Sequence, residues 1–201
     1  MVKRAFDLFC SAVGLVVLAP VFVVVAVAIR IDSPGPVFFR QERVGRFGRI
    51  FRIHKFRTMR HRSHGDGPSI TVGADIRVTR LGVVLRRYKI DELPQLIDVF
   101  QGSMSLVGPR PEVPEYVAHY RVEDRDIVLS VRPGITDLAS LEFSDESSLL
   151  AAASDPQRFY IEEVLPMKVR YYREYVGSRT MFGDVRIIFA TLRKVFLGGG
   201  R

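Results

Sequence analysis

The 201-residue chain is long enough for one domain with its own core and an attached membrane segment. At 47% apolar and 26% charged residues, it is neither a disordered chain nor a protein of many membrane spans. The net charge of +8 is uneven: residues 1–62 carry 12 basic and 3 acidic side chains, and residues 63–201 carry 18 and 19. The basic N-terminal third asks for an anionic partner: phospholipid headgroups, a nucleic acid or a phosphorylated substrate.

Residues 10–29 contain no charge, and as a helix they reach ~30 Å, one bilayer core. A cleaved leader has a shorter apolar region and a small-residue cleavage site, whereas Arg30, Ile31 and Asp32 follow here. The run is apolar on every face, which favours a membrane helix over a soluble core helix. Cys10, the only cysteine, excludes an internal disulfide and reads as a small apolar residue. Pro20 lacks an amide hydrogen and favours a break. Lys3 and Arg4 flank the run on one side, and Arg30, Arg40, Arg43, Arg46 and Arg49 on the other. Positive flanks prefer the cytoplasmic side. A bent, re-entrant helix satisfies both flanks; a straight spanning helix satisfies one.

Ser33-Pro-Gly-Pro36 is a stop and turn signal. Residues 37–59 read as short strands around Gly45 and Gly48, a hairpin. Residues 61–69 form a polar loop, and 75–90 are mixed, with arginines every few positions. Asp91 opens a predicted helix that closes at Gly102, with Pro94 tolerable only in its first turn. Residues 105–114 read as a rigid loop with three prolines, 114–130 as a helix, 131–136 as a turn, and 145–176 as largely helical with a break at Asp155-Pro156. Val185, Ile188, Phe189, Leu192, Val195 and Phe196 share one helical face. Beside Arg186, Arg193 and Lys194 that face suits either a membrane interface or the domain core. Residues 198–201 read as a disordered tail.

Asp91 and Glu92 are adjacent, and an acidic first turn on a helix dipole is the plain account of such a pair. Their neighbourhood suggests more. Arg86, Arg87, Arg110 in Gly-Pro-Arg-Pro, Arg132 before Pro133-Gly134, and Lys55 and Arg57 could converge into a cationic pocket for a diphosphate. One carboxylate could then act as a nucleophile and the other hold Mg²⁺. His61 and His64 lack further zinc ligands nearby, and His54 and His119 lack a partner signal. No Gly-x-Ser-x-Gly elbow, P-loop or dinucleotide fingerprint occurs.

Lys-Arg-Ala-Phe-Asp near the start, the proline-interrupted apolar run, residues 33–59, Asp-Glu-Leu-Pro-Gln-Leu-Ile-Asp-Val-Phe-Gln-Gly-Ser-Met-Ser-Leu-Val-Gly-Pro-Arg-Pro and Arg-Pro-Gly-Ile-Thr together resemble the bacterial sugar transferase family, the monotopic phosphoglycosyl transferases. The resemblance runs from about residue 3 to 197. It implies a mostly helical α+β chain. Residues 1–32 form a re-entrant membrane helix-break-helix, and residues 33–197 a compact cytosolic catalytic domain with a small β-hairpin and interfacial amphipathic helices. It implies a ping-pong reaction in which Asp91 attacks the β-phosphorus of a UDP-sugar, UMP leaves, and a polyprenol phosphate takes the phosphosugar. Glu92, with Asp91, is implied as the Mg²⁺ site, and Lys55, Arg57, Arg86, Arg110 and Arg132 as phosphate or nucleotide ligands. Pro20, Lys3, Arg4 and Arg30 are the implied membrane determinants. The implied setting is the cytoplasmic face of a bacterial inner membrane rich in anionic lipid, with no nucleic-acid partner and with a homodimer left open. The implied product starts a glycan such as an O-antigen, capsule, exopolysaccharide or glycoprotein chain.

Three features depart from the family pattern. Ala19 stands where a serine often precedes the proline. Asp137-Leu-Ala-Ser140 follows Arg-Pro-Gly-Ile-Thr in place of a Gly-Trp-Ala-Gln run, so the specificity of residues 137–148 is not transferable. The resemblance is to the form of the family with only the small catalytic unit, without the several N-terminal spanning helices of larger members. The competing account is a membrane-anchored basic scaffold without chemistry; it explains the charge of the N-terminal third but not the co-occurrence of Asp91-Glu92, Gly-Pro-Arg-Pro and Arg-Pro-Gly-Ile-Thr.

Overall fold

A computed structural model describes residues 2–60, 75–143 and 146–197. The polar loop at 61–69 with His61 and His64, residues 144–145 of the 137–148 segment, the Phe196 side chain and the tail 198–201 lie outside the described residues.

Helix α1 (Val2–Asp32) carries the whole apolar run. It is the one described helix long and apolar enough to cross a membrane. Its helical assignment continues through Pro20, so the expected break does not appear as an interruption of the helix. Both ends of α1 lie on the rest of the chain. Near the start, Arg4 donates to the carbonyls of Val99 and Phe100, and Lys3 Nζ sits 2.5 Å from Asp184 Oδ2. The buried Asp7 carboxylate accepts from Ser105 Oγ at 2.9 Å and the Leu106 amide at 3.2 Å. Near the end, Val25 and Ile29 pack with Phe56 and Leu85. Val16, Val17, Val23 and Val24, on the opposite side, stay exposed.

Strands β1 (Phe38–Val44) and β2 (Ile50–Phe56) form the expected antiparallel hairpin, in register Phe38 to Phe56 and Val44 to Ile50. Its turn needs left-handed backbone at Phe47 (φ 59°) and Gly48 (φ 75°). Helix α2 (Arg80–Arg87) follows, capped by Thr79 Oγ1, which accepts from the Gly82 amide. The sequence hid this helix behind three arginines and a glycine. The glycine is a packing requirement, because a Cβ at Gly82 would lie 2.1 Å from the Thr58 carbonyl oxygen.

The helix expected from Asp91 divides in two. Residues Ile90–Glu92 form a 3₁₀ turn, and α3 (Gln95–Gln101) begins after Pro94. A proline ring clashes with the carbonyl four residues back, here Ile90, so a continuous α-helix through Pro94 is disfavoured. The tighter bond from the Leu93 amide to the Ile90 carbonyl takes its place at 3.2 Å. Gly102 (φ 92°) closes α3 as expected.

Strands β3 (Ser105–Val107) and β4 (Gly134–Thr136) pair in parallel where the sequence suggested a loop and a turn. Three-residue strands carry too little alternation to be read. Helices α4 (Pro114–Val117) and α5 (Val122–Val128) replace the single helix expected over 114–130, since Arg121 turns extended (ψ 146°). Then come α6 (Leu138–Glu142), α7 (Glu146–Ala151), α8 (Pro156–Phe159), a π-helical turn (Tyr160–Val164), α9 (Leu165–Ser178) and α10 (Met181–Leu197). The break at Asp155-Pro156 is a cap: Asp155 accepts from the Arg158 amide. The apolar residues of α10 divide between two environments. Ile187 and Ile188 pack with Val107 and Tyr175, while Phe182 (80% exposed) and Phe189 (68%) face outward.

Candidate active site

The 3₁₀ turn holds Asp91 and Glu92 side by side, both buried at 8% exposure. Lys89, just before it, sits in left-handed conformation (φ 55°, ψ 20°). Such backbone in a non-glycine residue costs of order 1 kcal/mol and tends to occur at functional sites. Here it reverses the chain between α2 and the acidic pair.

Three elements bring cations to this turn. From β2, Lys55 Nζ reaches Glu92 Oε1 at 2.7 Å. From the loop after β3, Arg110 Nη2 reaches the same oxygen at 2.5 Å. From α2, Arg86 Nε donates to Thr58 Oγ1 at 2.9 Å, and its positive charge acts on Asp91. The two remaining candidates go elsewhere. Arg57 donates to the carbonyls of Pro34 and Ser33, each at 2.6 Å, so it caps the C-terminal end of α1. Arg132 Nε donates to the Gly102 carbonyl at 2.7 Å, where α3 ends. Thus Lys55, Arg86 and Arg110 gather at the acidic pair, while Arg57 and Arg132 are engaged by backbone.

The two carboxylates differ in environment. Burial raises Asp91 above the ordinary aspartate value, the charge of Glu92 adds to this, and Lys55, Lys89 and Arg86 offset part of it. Burial alone would raise Glu92 too, but Arg110, then Lys55 and Lys89, outweigh it and hold the carboxyl well below the usual range. Glu92 is therefore a fixed anion. Asp91 Oδ1 is buried with no hydrogen-bond partner. A buried carboxylate oxygen is normally paired, so an orphaned one next to cations is a functional candidate. Lys55 is pushed down by burial, against the pull of Glu92.

Asp91 Oδ1 is the oxygen of the pair that a hard divalent cation could use, whereas Glu92 Oε1 already holds Lys55 and Arg110. Such a cation keeps several waters and is commonly held by one or two carboxylates plus substrate phosphate, and Asp91 Oδ1 has no protein partner to surrender. Among the described residues no group of three or more acidic, histidine or cysteine side chains forms a closed metal cage.

Sequence reasoning missed several supports. His54, which lacked a visible partner, has Nδ1 2.7 Å from Asp98 Oδ1, and Asp98 Oδ2 accepts the His54 amide at 2.8 Å. This ties β2 to α3 one residue away from Lys55. The loop bearing Arg110 is clamped as well: Arg43 Nη1 donates to the Pro111 carbonyl, and the Val44 amide to the Glu112 carbonyl. On its other side Gly108 meets Gly134 so closely that a Cβ on Gly134 would lie 2.1 Å from the Gly108 nitrogen. Only the Pro-Arg-Pro-Glu spelling hinted at a rigid loop.

The described residues thus combine a buried acidic pair walled by lysine and arginine with one helix long and apolar enough to cross a membrane. Residues 1–198 match the bacterial sugar transferase family, and the chain belongs to it. It is 38% identical to a UDP-N-acetylgalactosamine-undecaprenyl-phosphate N-acetylgalactosaminephosphotransferase of Aeromonas hydrophila, over 99% of this chain and 44% of that protein. It is 34% identical to a UDP-glucose:undecaprenyl-phosphate glucose-1-phosphate transferase of Escherichia coli K12, over 98% of this chain and 40% of that one. An exopolysaccharide production protein PSS of Rhizobium leguminosarum bv. phaseoli is 38% identical, over 96% of this chain and 94% of its own length. The chain thus spans less than half the length of the first two relatives.

Proposed function

We propose that this chain moves a phosphosugar from a UDP-sugar to a polyprenol phosphate, through a covalent intermediate on Asp91. The observation that carries the reading is the contrast within the pair: an unpartnered Asp91 oxygen beside a Glu92 anchored by two cations. In the first step an Asp91 oxygen bonds to the β-phosphorus. The bond from that phosphorus to the bridging oxygen breaks, and UMP departs with the electron pair. In the second step an oxygen of polyprenol phosphate bonds to the same phosphorus, and the Asp91 carboxylate leaves. The products are polyprenyl-diphospho-sugar and UMP.

The raised basicity of Asp91 suits a nucleophile. Lys55, Arg86 and Arg110 oppose the charge of the donor diphosphate. Prearranged cations in a water-poor site are the main source of phosphoryl-transfer catalysis. Asp91 and Glu92 would hold Mg²⁺, which neutralises phosphate charge when bound. The names of the relatives support both the donor class and the lipid phosphate acceptor.

The re-entrant course of α1 belongs to the same proposal. Arg4 and Asp7 at one end, and Ile29 at the other, are all held by one domain. Contacts from one domain at both ends favour a helix whose two ends stay on the same side of a bilayer, even though it runs on through Pro20. The exposed valines of α1 and the outward Phe182 and Phe189 of α10 then lie in the lipid, with the site at the cytoplasmic headgroup level. Anionic headgroups meet the basic N-terminal third.

The test is UMP release from a panel of UDP-sugars in vesicles with and without polyprenol phosphate, and with and without Mg²⁺. Turnover that needs the lipid phosphate supports transfer. Release to water alone makes the chain a hydrolase, and no release from any donor leaves the scaffold reading.

A further inference from the structure

Lys168, on α9, is 5% exposed, and its ammonium meets Tyr160, which packs in a buried cluster with Val113, Tyr116, Leu150, Val164 and Leu165. Its Nζ is 3.7 Å from Glu112 Oε1 and 2.7 Å from Glu146 Oε2. It also donates to Tyr160 Oη at 3.2 Å and lies 4.9 Å from the Tyr160 ring centre. The Tyr160 hydroxyl in turn donates to Glu112 Oε1 at 2.9 Å. Tyr160 opens the π-helical turn, an irregularity that recurs at functional sites.

A buried ion pair is weak evidence for stability, because apolar residues of similar volume commonly do as well or better. The network therefore calls for another role, and its position suggests one. Glu112 is two residues from Arg110 in the Pro109–Glu112 run. Arg43 and Val44 hold that run through its carbonyls, and Glu112 is the side chain by which α9 holds it.

We propose that Lys168 is a positioning residue, which acts through Glu112 and Tyr160 to hold the loop that presents Arg110 to Glu92. This rests on the transferase reading for its effect on turnover, but the effect on the loop does not. A misplacement of about 1 Å at a reacting centre costs on the order of 10²-fold in rate.

Three variants test it: Lys168→Met, Lys168→Met with Glu112→Gln, which removes both charges of the Lys168–Glu112 contact, and Lys168→Arg. The charge-free pair should fold, keep its apparent Tm, and lose about 10- to 100-fold in kcat with a much smaller change in donor KM. Lys168→Arg should restore part of the loss. In an Arg110→Ala background, adding Lys168→Met should change little, because the residue it positions is gone. Amide exchange over residues 108–112 should accelerate in the charge-free pair, while the β1–β2 hairpin stays protected. Full activity in that pair, or additive losses with Arg110→Ala, overturns the positioning role. A wild-type chain inactive with every donor overturns the transferase reading instead, and unchanged exchange over 108–112 then still removes Lys168 from the role.

Discussion

Arg110 and Glu92, 18 residues apart in sequence, meet with Nη2 2.5 Å from Oε1, and this contact sets the different characters of the two adjacent carboxylates. Arg110, with Lys55 on the same oxygen, keeps Glu92 an anion, and that anion raises its neighbour. A tightly paired acid thereby adds to the basicity that burial gives the acid beside it.

Asp91→Asn should abolish retention of radiolabel from a sugar-phosphate donor labelled at the β-phosphorus. It should also stabilise the chain. Because the folded-state value of Asp91 is raised, its contribution is fully present below the unfolded aspartate value and is lost as pH rises through the folded one. Above that folded value the ionised group is thus a cost. In chelator-containing buffer the variant should gain apparent Tm, at about 2–4 °C per kcal/mol recovered for a chain of this size. Undiminished label would remove Asp91 from the nucleophile's role.

Glu92→Gln should act in the opposite direction. The folded value of Glu92 is depressed, so its stabilisation is present above the unfolded glutamate value and is lost as pH falls through the folded one. The variant should lose on the order of 1–3 kcal/mol at neutral pH, since Lys55 and Arg110 keep their charges without the anion. Denaturant titrations at several pH values should show a flatter acid limb than the wild type. Equal stability at neutral pH would mean that the two cations are satisfied without Glu92.

Gly134→Ala should disrupt the parallel β3–β4 contact, because its new methyl group meets the Gly108 nitrogen at 2.1 Å and the Gly108 oxygen at 2.5 Å. Backbone on both sides leaves no flexible atom to yield. Loss of ~2 kcal/mol or more is expected, of the kind seen for overpacking, with a fall in kcat because Arg110 follows Gly108 in the same loop. Wild-type melting behaviour would show that the strands can part at no cost.

Arg57→Lys should lower stability and leave donor KM unchanged. The guanidinium spans the carbonyls of Ser33 and Pro34, and a lysine ammonium cannot reproduce that planar reach. A raised donor KM with unaltered stability would return Arg57 to the substrate.

Much was legible from local spelling. Helix α1 followed from twenty uncharged residues, the hairpin from Gly45 and Gly48, the end of α3 from Gly102, and the break at Asp155-Pro156 from its proline. Each depends on neighbours along the chain or on one residue's backbone preference. The acidic pair was also visible as a candidate, since two carboxylates before an apolar helix are adjacent whatever the fold.

What joined them was not. Nothing in the spacing of Lys55, Arg57, Arg86, Arg110 and Arg132 separates the three that gather at Asp91 and Glu92 from the two that bind backbone carbonyls. Charge and reach are the same for all the arginines, and only the paths of β2, α2 and the β3–α4 loop sort them. The His54–Asp98 pair, the Lys168–Glu112 network and the parallel β3–β4 contact likewise join segments 29 to 56 residues apart. The sequence by itself determined the apolar helix, the turns and the identity of the paired acids, because those are local properties. The tertiary structure alone decided which acid is pinned and which is left unpartnered, because burial and charge pairing act through space.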